Sequence, residues 1–339
     1  MTKITNGLRI GLTALMIAAV LLGCSPTVKT TSSGTAAGLS STTALAEYYP
    51  ITVQDFSKRE ITIKERPQKV VFLANSGISV WYELGGKAVA SVNVTENLKL
   101  KPDYEAEIRA LKSVGHPNNP NLEAILAEDP DLVVAQEGMN PELLDKIRGF
   151  GVNVLNFRMK SYDDLKRTFI LFGDILEETG KAYSAISEIS QKMRDLIAQK
   201  PLEDSRVAVL FINTKGLYLK AEHSVAGEYL RELGFKNVAS GIKSPDGSEN
   251  LPLDIEFLAK EDPDIIMVTS MMESNEAAMA KAQAEFSSNP VWAAIPAIRE
   301  GRIGYLPQQY FLYNAGPCYA EGALYIMNAV YPEVFAKPE

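Results

Sequence analysis

Residues 161–201 read SYDDLKRTFILFGDILEETGKAYSAISEISQKMRDLIAQKP and contain two helical patterns in succession. The apolar side chains of the first pattern recur every three or four residues, at Tyr162, Leu165, Phe169, Phe172 and Leu176. Those of the second recur in the same way, at Tyr183, Ile186, Ile189, Met193 and Leu196. We predict two amphipathic helices placed end to end, the first ending at Thr179 and Gly180. The second, about 30 Å long at roughly 1.5 Å per residue, would join two lobes as one stiff connector.

Strand and helix patterns alternate on both sides of this segment. Before it, short apolar runs predict strands at residues 51–53, 61–63, 69–73, 88–92, 132–135 and 152–155, with helices at 78–84, 121–127 and 141–149. After it, strands are predicted at residues 206–212, 265–269 and 302–306, with helices at 225–233, 254–260 and 320–329. Such alternation predicts an α/β fold in which each lobe is a mostly parallel sheet flanked by helices.

The two halves of the chain share one phrase. The sequence LEAILAEDPDLV at residues 122–133 aligns without a gap with IEFLAKEDPDII at residues 255–266. In each, a short helix ends at Asp-Pro, because proline disfavours helix at the residue before it, and a buried strand follows. A common helix-to-strand turn met twice by chance is the alternative. The equivalent positions in the two halves favour an internal two-lobe repeat.

The N-terminus has the pattern of a secretory signal. Lys3 and Arg9 precede an uncharged run at residues 10–23 that is shorter than the about 20 residues of a membrane span. The sequence LLGC at residues 21–24 resembles the bacterial lipobox. We therefore predict a signal peptide at residues 1–23 and a lipid on Cys24 that anchors the protein on the extracytoplasmic side of a membrane. An ordinary signal peptide with an incidental cysteine is the alternative.

Composition and charge limit the possible partners and domains. The 339 residues carry a net charge of −8, and removal of residues 1–23 takes away two basic side chains and no acidic one. Nucleic acid is therefore not an expected partner. With Cys24 lipidated, Cys318 would be the only thiol, which excludes a disulfide framework. Small and hydroxyl residues predict a flexible tether at 24–47, so the lobes would span residues 48–160 and 202–339 around the connector at 161–201.

Several short motifs occur in a characteristic order along the mature chain. They are RPQKVV at residues 66–71, VG at 114–115 with PNLE at 120–123, both Asp-Pro-Asp phrases, GEYL at 227–230, and NPVW at 289–292 with GRI at 301–303. In this order they resemble the substrate-binding lipoproteins of ABC importers for iron-siderophore, haem and cobalamin. The resemblance covers residues from about 48 to 332. It implies the class III periplasmic-binding-protein fold, in which two α/β lobes are joined by one long helix.

The resemblance also implies a function and a set of partners. The protein would be a monomer that captures a ferric siderophore, haem or cobalamin in the cleft between its lobes. It would deliver this ligand to an ABC permease with its ATPase, and no cofactor beyond the lipid on Cys24 is expected. An oxyanion such as molybdate is an alternative ligand, and sensing without transport is an alternative role. A secreted enzyme is not favoured, because the sequence contains no G-x-S-x-G, H-E-x-x-H or Walker motif.

Ligands of open α/β sheets bind beyond the carboxyl ends of the strands. The cleft candidates are therefore residues that follow predicted strands: Asn75, His116, Asn118, Met139, Arg158, Met271, Tyr310 and Tyr313. Each tyrosine offers a stacking surface for a planar or chelated ligand, or else fills the core of the second lobe. The methionines offer soft contacts or a haem-iron ligand, although methionine at a strand end usually fills space. Arg158, with Lys160, offers pairing with an anionic chelate, and a solvated basic pair is the alternative.

Metal coordination by histidine is not expected. Some haem-binding members of the resembling family carry methionine two residues after the position of His116, where this chain has Asn118. This difference weakens a haem assignment through that methionine. The chain has only two histidines, His116 and His223, so a multi-histidine cage for zinc or manganese is excluded.

The resemblance further implies docking on the permease through one acidic residue near the top of each lobe. Glu228 occupies that position in the second lobe. In the first lobe the matching position is Ser79, so we expect Glu83, one helical turn further along, to replace it. Such rim charges mainly steer encounter and fix the register of the complex. A single stiff connector also predicts a pre-formed cleft and only a small closure on ligand binding.

Overall fold

The computed structural model describes residues 48–203, 205–244 and 246–336. The signal peptide at 1–23, lipidated Cys24 and the tether up to residue 47 lie outside these residues. In chain order the first lobe contains β1 (Ile51–Gln54), β2 (Glu60–Ile63), β3 (Val70–Phe72), α1 (Ile78–Glu83), β4 (Ala90–Ser91), α2 (Pro102–Arg109), β5 (Lys112–Ser113), β6 (Gly115–His116), β7 (Asn119–Pro120), α3 (Leu122–Ala127), β8 (Leu132–Gln136), α4 (Pro141–Gly149) and β9 (Asn153–Phe157).

The main sheet of the first lobe has five parallel strands in the order β5-β4-β3-β8-β9. Its central strands β3 and β8 are apolar on both faces, as expected for a parallel sheet covered by helices. The predicted opening hairpin is present as β1 and β2, and β6 and β7 form a second small hairpin. Parallel strands all place their carboxyl ends at one edge, which in this lobe is where the candidate site residues follow.

The connector consists of α5 (Tyr162–Ile175) and α6 (Thr179–Gln199). The predicted end-to-end arrangement is wrong, because the helices pack side by side and antiparallel. The hydroxyl groups of Tyr162 and Ser190 lie 2.6 Å apart, and the chain reverses at Glu177, whose φ is 59°. Thr179 and Gly180 therefore begin α6 rather than end α5. The pairing buries the apolar faces of both helices against each other and the lobes, which two helices in line would leave exposed.

The long connecting helix itself is confirmed as α6. Its buried positions are Ala182, Ile189 and Met193, whereas Tyr183, predicted on the apolar face, is exposed.

The start of the folded chain is attached to the C-terminal end of α5. Tyr48 donates its hydroxyl to the carbonyl of Asp174 at 2.7 Å, and the Tyr49 hydroxyl donates to the carbonyl of Ile175.

In chain order the second lobe contains β10 (Arg206–Ile212), β11 (Leu217–Lys220), α7 (Val225–Glu232), β12 (Lys236–Asn237), β13 (Asn250–Pro252), α8 (Ile255–Glu261), β14 (Ile265–Ser270), α9 (Asn275–Ser288), α10 (Pro296–Arg299), β15 (Ile303–Tyr305), α11 (Gln308–Phe311) and α12 (Tyr319–Val330). Its sheet has the order β13-β11-β10-β14-β15, and β12 also pairs with β10. Strands β10, β12, β14 and β15 are parallel, whereas β11 runs antiparallel to β10 and to β13. The sheet is thus mostly parallel, as predicted, with an antiparallel margin.

The phrase shared by the two halves folds in the same way in both. Asp131 accepts a hydrogen bond from the backbone N–H of Lys69 at 3.0 Å, next to the start of β3. Asp264 accepts one from the backbone N–H of Arg206 at 2.8 Å, at the start of β10. The preceding aspartates, Asp129 and Asp262, have φ values of 47° and 46° and end their helices alike. The repeat therefore supplies each lobe with the same entry into its central strands.

The largest apolar core extends through both lobes and the connector. It joins Trp81 and Phe172 of the first half to Tyr229 and Tyr319 of the second through continuous side-chain packing. Smaller cores cover the remaining face of each sheet. Because separating the lobes on this side would expose fully buried rings, the shared core restricts how far they can open.

Candidate functional site

Asn75 lies at the carboxyl end of β3, in a 3₁₀ turn that precedes α1. Its side chain is buried, and its Nδ2 donates to the carbonyl of Asn93 at 3.0 Å. Its Oδ1 has no hydrogen-bond partner among the residues that the structure describes. A buried amide oxygen is usually paired in a folded protein, and Asn75 Oδ1 is one of eight buried side-chain nitrogen or oxygen atoms without a partner among the described residues.

His116, Asn118 and Met139 lie together on one rim of the first lobe. The backbone N–H of Asn118 donates to Nδ1 of His116 at 3.2 Å within the turn between β6 and β7. Asn140 fastens this turn to the loop after β8 by donating to the carbonyl of Pro117 at 2.9 Å. His116 and Asn118 are exposed and Met139 is half-buried. The rim therefore presents an imidazole ring, an amide and a thioether to solvent.

Arg158 is paired with one carboxylate of the first lobe and one of α5. Its Nε donates to Asp164 at 2.9 Å and one terminal nitrogen donates to Glu137 at 3.2 Å. Its guanidinium also lies over the ring of Phe56, 5.5 Å from the centroid. Two carboxylates neutralise this cation, so an anionic ligand would have to compete with both of them.

The two candidate tyrosines have different environments. The segment around them contains α11, which the sequence did not predict, and this helix turns Tyr310 into the shared core. The Tyr310 hydroxyl donates to Glu321 at 2.7 Å, so Tyr310 is a core residue rather than a cleft residue. Tyr313 is half-buried, and its hydroxyl makes no hydrogen bond to any residue in the described part of the chain. Burial raises the pKa of Tyr313, which therefore presents a neutral phenol.

Met271 is an exposed thioether at the carboxyl end of β14. Met271 is 54% exposed. The next residue, Met272, packs against the core of the second lobe, and its carbonyl accepts a hydrogen bond from Gln308 at 3.0 Å. An apolar side chain this exposed at a strand end is suited to contact a ligand or the opposite lobe.

Both docking candidates are engaged in local ion pairs. Glu83 accepts from Lys101 at 2.7 Å and from the Tyr104 hydroxyl at 3.3 Å, and its side chain is 22% exposed. Glu228 pairs with Arg231 at 2.9 Å. Ser79 itself is buried, which explains why an acidic side chain is not accommodated there.

At one end of the boundary between the lobes, the chain forms what we call the Lys99 junction: Asn97, Lys99, Gln308, Tyr310 and Glu321. Lys99 pairs with Glu321 at 3.1 Å and lies over the ring of Tyr310. Asn97 donates to Gln308 at 3.3 Å. Despite the burial of Glu321, hydrogen bonds from Tyr310 and Lys99 hold its pKa below the usual value. The junction is therefore charge-balanced.

At the other end, Lys160, Glu249 and Lys220 form what we call the Lys160 bridge. Lys160 follows β9 and lies 2.8 Å from one oxygen of Glu249, and Lys220 lies 3.5 Å from the other. Burial alone would raise the pKa of Glu249, but the two lysines lower it. Burial lowers the pKa of Lys220 despite the attraction of Glu249.

Sequence reasoning identified neither set of partners. The residues of each pair are far apart in the chain, and charged side chains are too common for a single sequence to indicate which of them meet. Of these residues, Tyr310 was noted as a cleft candidate and Lys160 as a neighbour of Arg158. A pocket of about 560 Å³ lies away from this boundary, between α9, β15 and α12 of the second lobe. No helix in the part of the chain described is long and apolar enough to cross a membrane.

Two α/β lobes joined by one long helix define the class III fold of periplasmic binding proteins. The sequence profile described as periplasmic binding protein matches residues 70–310, and the chain belongs to this family.

Individual relatives agree with this assignment. The ABC transporter substrate-binding lipoprotein YvrC of Bacillus subtilis is 24% identical over 298 residues, which cover 85% of this chain and 88% of the relative. The Fe(3+)-citrate-binding protein YfmC of the same organism is 25% identical over 244 residues, 71% of this chain and 74% of the relative. The crystal structure of a periplasmic heme binding protein from Pseudomonas aeruginosa has a TM-score of 0.65 and 26% identity, covering 79% of this chain and 94% of that chain.

Proposed function

We propose that this protein captures an iron chelate or a tetrapyrrole between its lobes and delivers it to an ABC permease and its ATPase. The observation that carries the proposal is the unpaired, buried Oδ1 of Asn75 at the strand-end edge of the first lobe. Other buried side-chain atoms, such as Asn156 Oδ1, are also unpaired, but Asn75 follows the carboxyl end of β3, where ligands of open α/β sheets bind. Family membership and relatives that bind Fe(3+)-citrate or heme support the same reading.

The remaining site residues take roles that follow from their surroundings. His116, Asn118 and Met139 form the rim of the first lobe, and Met271 lies at a strand end of the second. Tyr313 contributes a half-buried phenol without a hydrogen-bond partner. Arg158 contacts the ligand only if Asp164 or Glu137 releases it. No covalent chemistry is proposed for any of these groups.

The same proposal includes export and docking. The signal peptide at 1–23 is removed, Cys24 is lipidated, and residues 25–47 tether a monomer with lobes at 48–160 and 202–339 joined by the connector at 161–201. Glu83 and Glu228 bind the permease when cations of the permease replace their present partners, Lys101 and Arg231 respectively. Arg231 is 49% exposed, so exchange at Glu228 costs little, whereas Lys101 is only 33% exposed, so exchange at Glu83 costs more.

The absorption spectrum of the purified protein tests the ligand class. We expect a Soret band with haem, corrin bands with cobalamin, or a broad charge-transfer band with a ferric siderophore. Binding is also measured through the melting temperature and through tryptophan fluorescence, which comes from the fully buried Trp81 and Trp292. If none of these ligands changes either signal, the proposal is wrong, and molybdate becomes the next ligand to titrate.

The single connecting helix and the shared core predict a small conformational change. We expect the radius of gyration from solution scattering to change little when ligand is added. A large compaction would show that, without ligand, the lobes stand farther apart than the shared core allows.

A further inference from the structure

Lys220 of the Lys160 bridge is an unusual cation because it is only 8% exposed. It donates to Asn250 at 3.1 Å, lies 3.5 Å from Glu249, and lies 5.0 Å above the centroid of the Phe211 ring. Lysine is rarely buried to this degree unless its charge is needed or fully compensated.

The charge of the Lys160 bridge is not compensated within the cluster. Two lysines face a single glutamate, so one positive charge is left over. Lys160 uses one of its three ammonium donors on Glu249, and the other donors remain for an acceptor. In a chain with a net charge of −8, this cluster at the boundary between the lobes attracts an anion to a defined place.

Glu249 can leave the cluster without moving the backbone. Its carbonyl accepts from the backbone N–H of Ala221 at 2.9 Å, directly beside the pairing of β11 with β13. The side chains of Lys160 and Glu249 are 48% and 26% exposed, so solvent and solutes reach the ion pair. Rotation of the Glu249 side chain is therefore sufficient to free both ammonium groups.

We propose that Glu249 is an internal counterion, and that a carboxylate of the bound ligand replaces it between Lys160 and Lys220. This inference rests on the proposed function and narrows the ligand to an anionic, carboxylate-bearing metal chelate. The exchange moves no covalent bond. It replaces one carboxylate by another and releases Glu249 to solvent, so Glu249 competes with the ligand and Lys160 binds it.

Calorimetric titration of the purified protein with Fe(III)-citrate and with metal-free citrate tests the inference. Glu249→Gln removes the competitor and should tighten binding about tenfold, because a neutral amide competes weakly for two ammonium groups. Lys160→Gln should weaken binding about tenfold. Lys192→Gln, which removes the same charge from an exposed pair on α6, should change nothing. Unchanged melting temperatures would show that the variants are folded.

The outcomes separate the two proposals. Weaker or unchanged ligand binding by Glu249→Gln would overturn the inference, because a glutamate that only bridges the lobes would either favour ligand binding or have no effect on it. Binding of cobalamin, whose corrin side chains are amides rather than carboxylates, without binding of either citrate probe would overturn the inference and leave the proposed function standing. Binding of citrate with the expected order of variants, but of no metal chelate or tetrapyrrole, would support the cluster and contradict the proposed function.

Discussion

Both ends of the boundary between the lobes contain a lysine–glutamate ion pair, but the two pairs have different surroundings. The Lys99 junction pairs one lysine with one glutamate and adds a buried phenol and an amide pair. The Lys160 bridge pairs two lysines with one glutamate, and the pair of Lys160 with Glu249 is its contact across the lobes. The first is charge-balanced and continuous with the core, whereas the second is charged and reached by solvent. The difference indicates that the first end holds the lobes together and the second is free to respond to a ligand.

The largest expected effect is on the side of the Lys99 junction. Gly316 has a φ of 55°, and a Cβ there would lie 2.5 Å from the Oγ of Ser79 in the opposite lobe. Gly316→Ala should lower the free energy of unfolding by about 2 to 4 kcal/mol, through backbone strain and overpacking. Urea denaturation measures this loss.

Gly138→Ala is the matched control for this substitution. Gly138 has a φ of 81° and no atom within 4 Å of the added Cβ, so only the backbone cost of about 1 to 2 kcal/mol applies. Equal losses in the two variants would show that the approach of the lobes at Gly316 is loose, and would remove the contrast between the two ends.

Glu321→Gln should have the next largest effect. The substitution removes the charge that binds Lys99 and weakens the hydrogen bond from Tyr310, and its side chain is 49% exposed. We expect a loss of about 1 kcal/mol in unfolding free energy, since exposure screens the pair. Glu188→Gln, which breaks an exposed pair with Lys192 on α6, should cost less than about 0.5 kcal/mol. Similar losses of unfolding free energy in both variants would mean that the pair of Lys99 with Glu321 behaves as an ordinary surface ion pair.

The stability difference between wild type and Glu321→Gln should depend on pH. The folded pKa of Glu321 lies below its ordinary value of 4.5, so its contribution is full above pH 4.5 and is lost as pH falls through the folded pKa. The difference should therefore shrink as the pH falls below 4.5. A difference that grows on acidification would have the wrong sign for a carboxylate held in its charged form.

The smallest expected effect is on stability at the Lys160 bridge. Lys160→Gln should change the unfolding free energy by less than about 0.5 kcal/mol, because the Lys160 side chain is half exposed and its pair with Glu249 is screened. Thermal unfolding measures this change. A loss as large as that of Glu321→Gln would mean that both ends hold the lobes equally.

Much of the fold could be predicted from periodicity alone. The central strands, the opening hairpin, the long connecting helix and the repeated Asp-Pro turn all follow local rules, and the structure confirms them. The periodicity did not reveal α9, because its residues are mostly polar or alanine and only Ala278, Ala282 and Phe286 are buried. The antiparallel packing of α5 on α6 was also missed, since an apolar stripe does not indicate which surface covers it.

The site was less predictable than the fold. The strand-end rule selected Asn75, whose unpaired oxygen is visible only in three dimensions. For Tyr310 the sequence left two alternatives, stacking on a ligand or filling the core, and the structure buries it in the core, where its hydroxyl donates to Glu321. Glu249 was not considered at all, since it precedes a short marginal strand and meets Lys160 only through the contact of the lobes.

The attachment of Tyr48 and Tyr49 to the end of α5 determines where force enters the molecule. That helix starts after β9 at Ser161 and runs for 14 residues, about 20 Å at roughly 1.5 Å per residue. A force applied through Tyr48 would therefore act on the molecule at the end of α5 that lies farthest from Ser161.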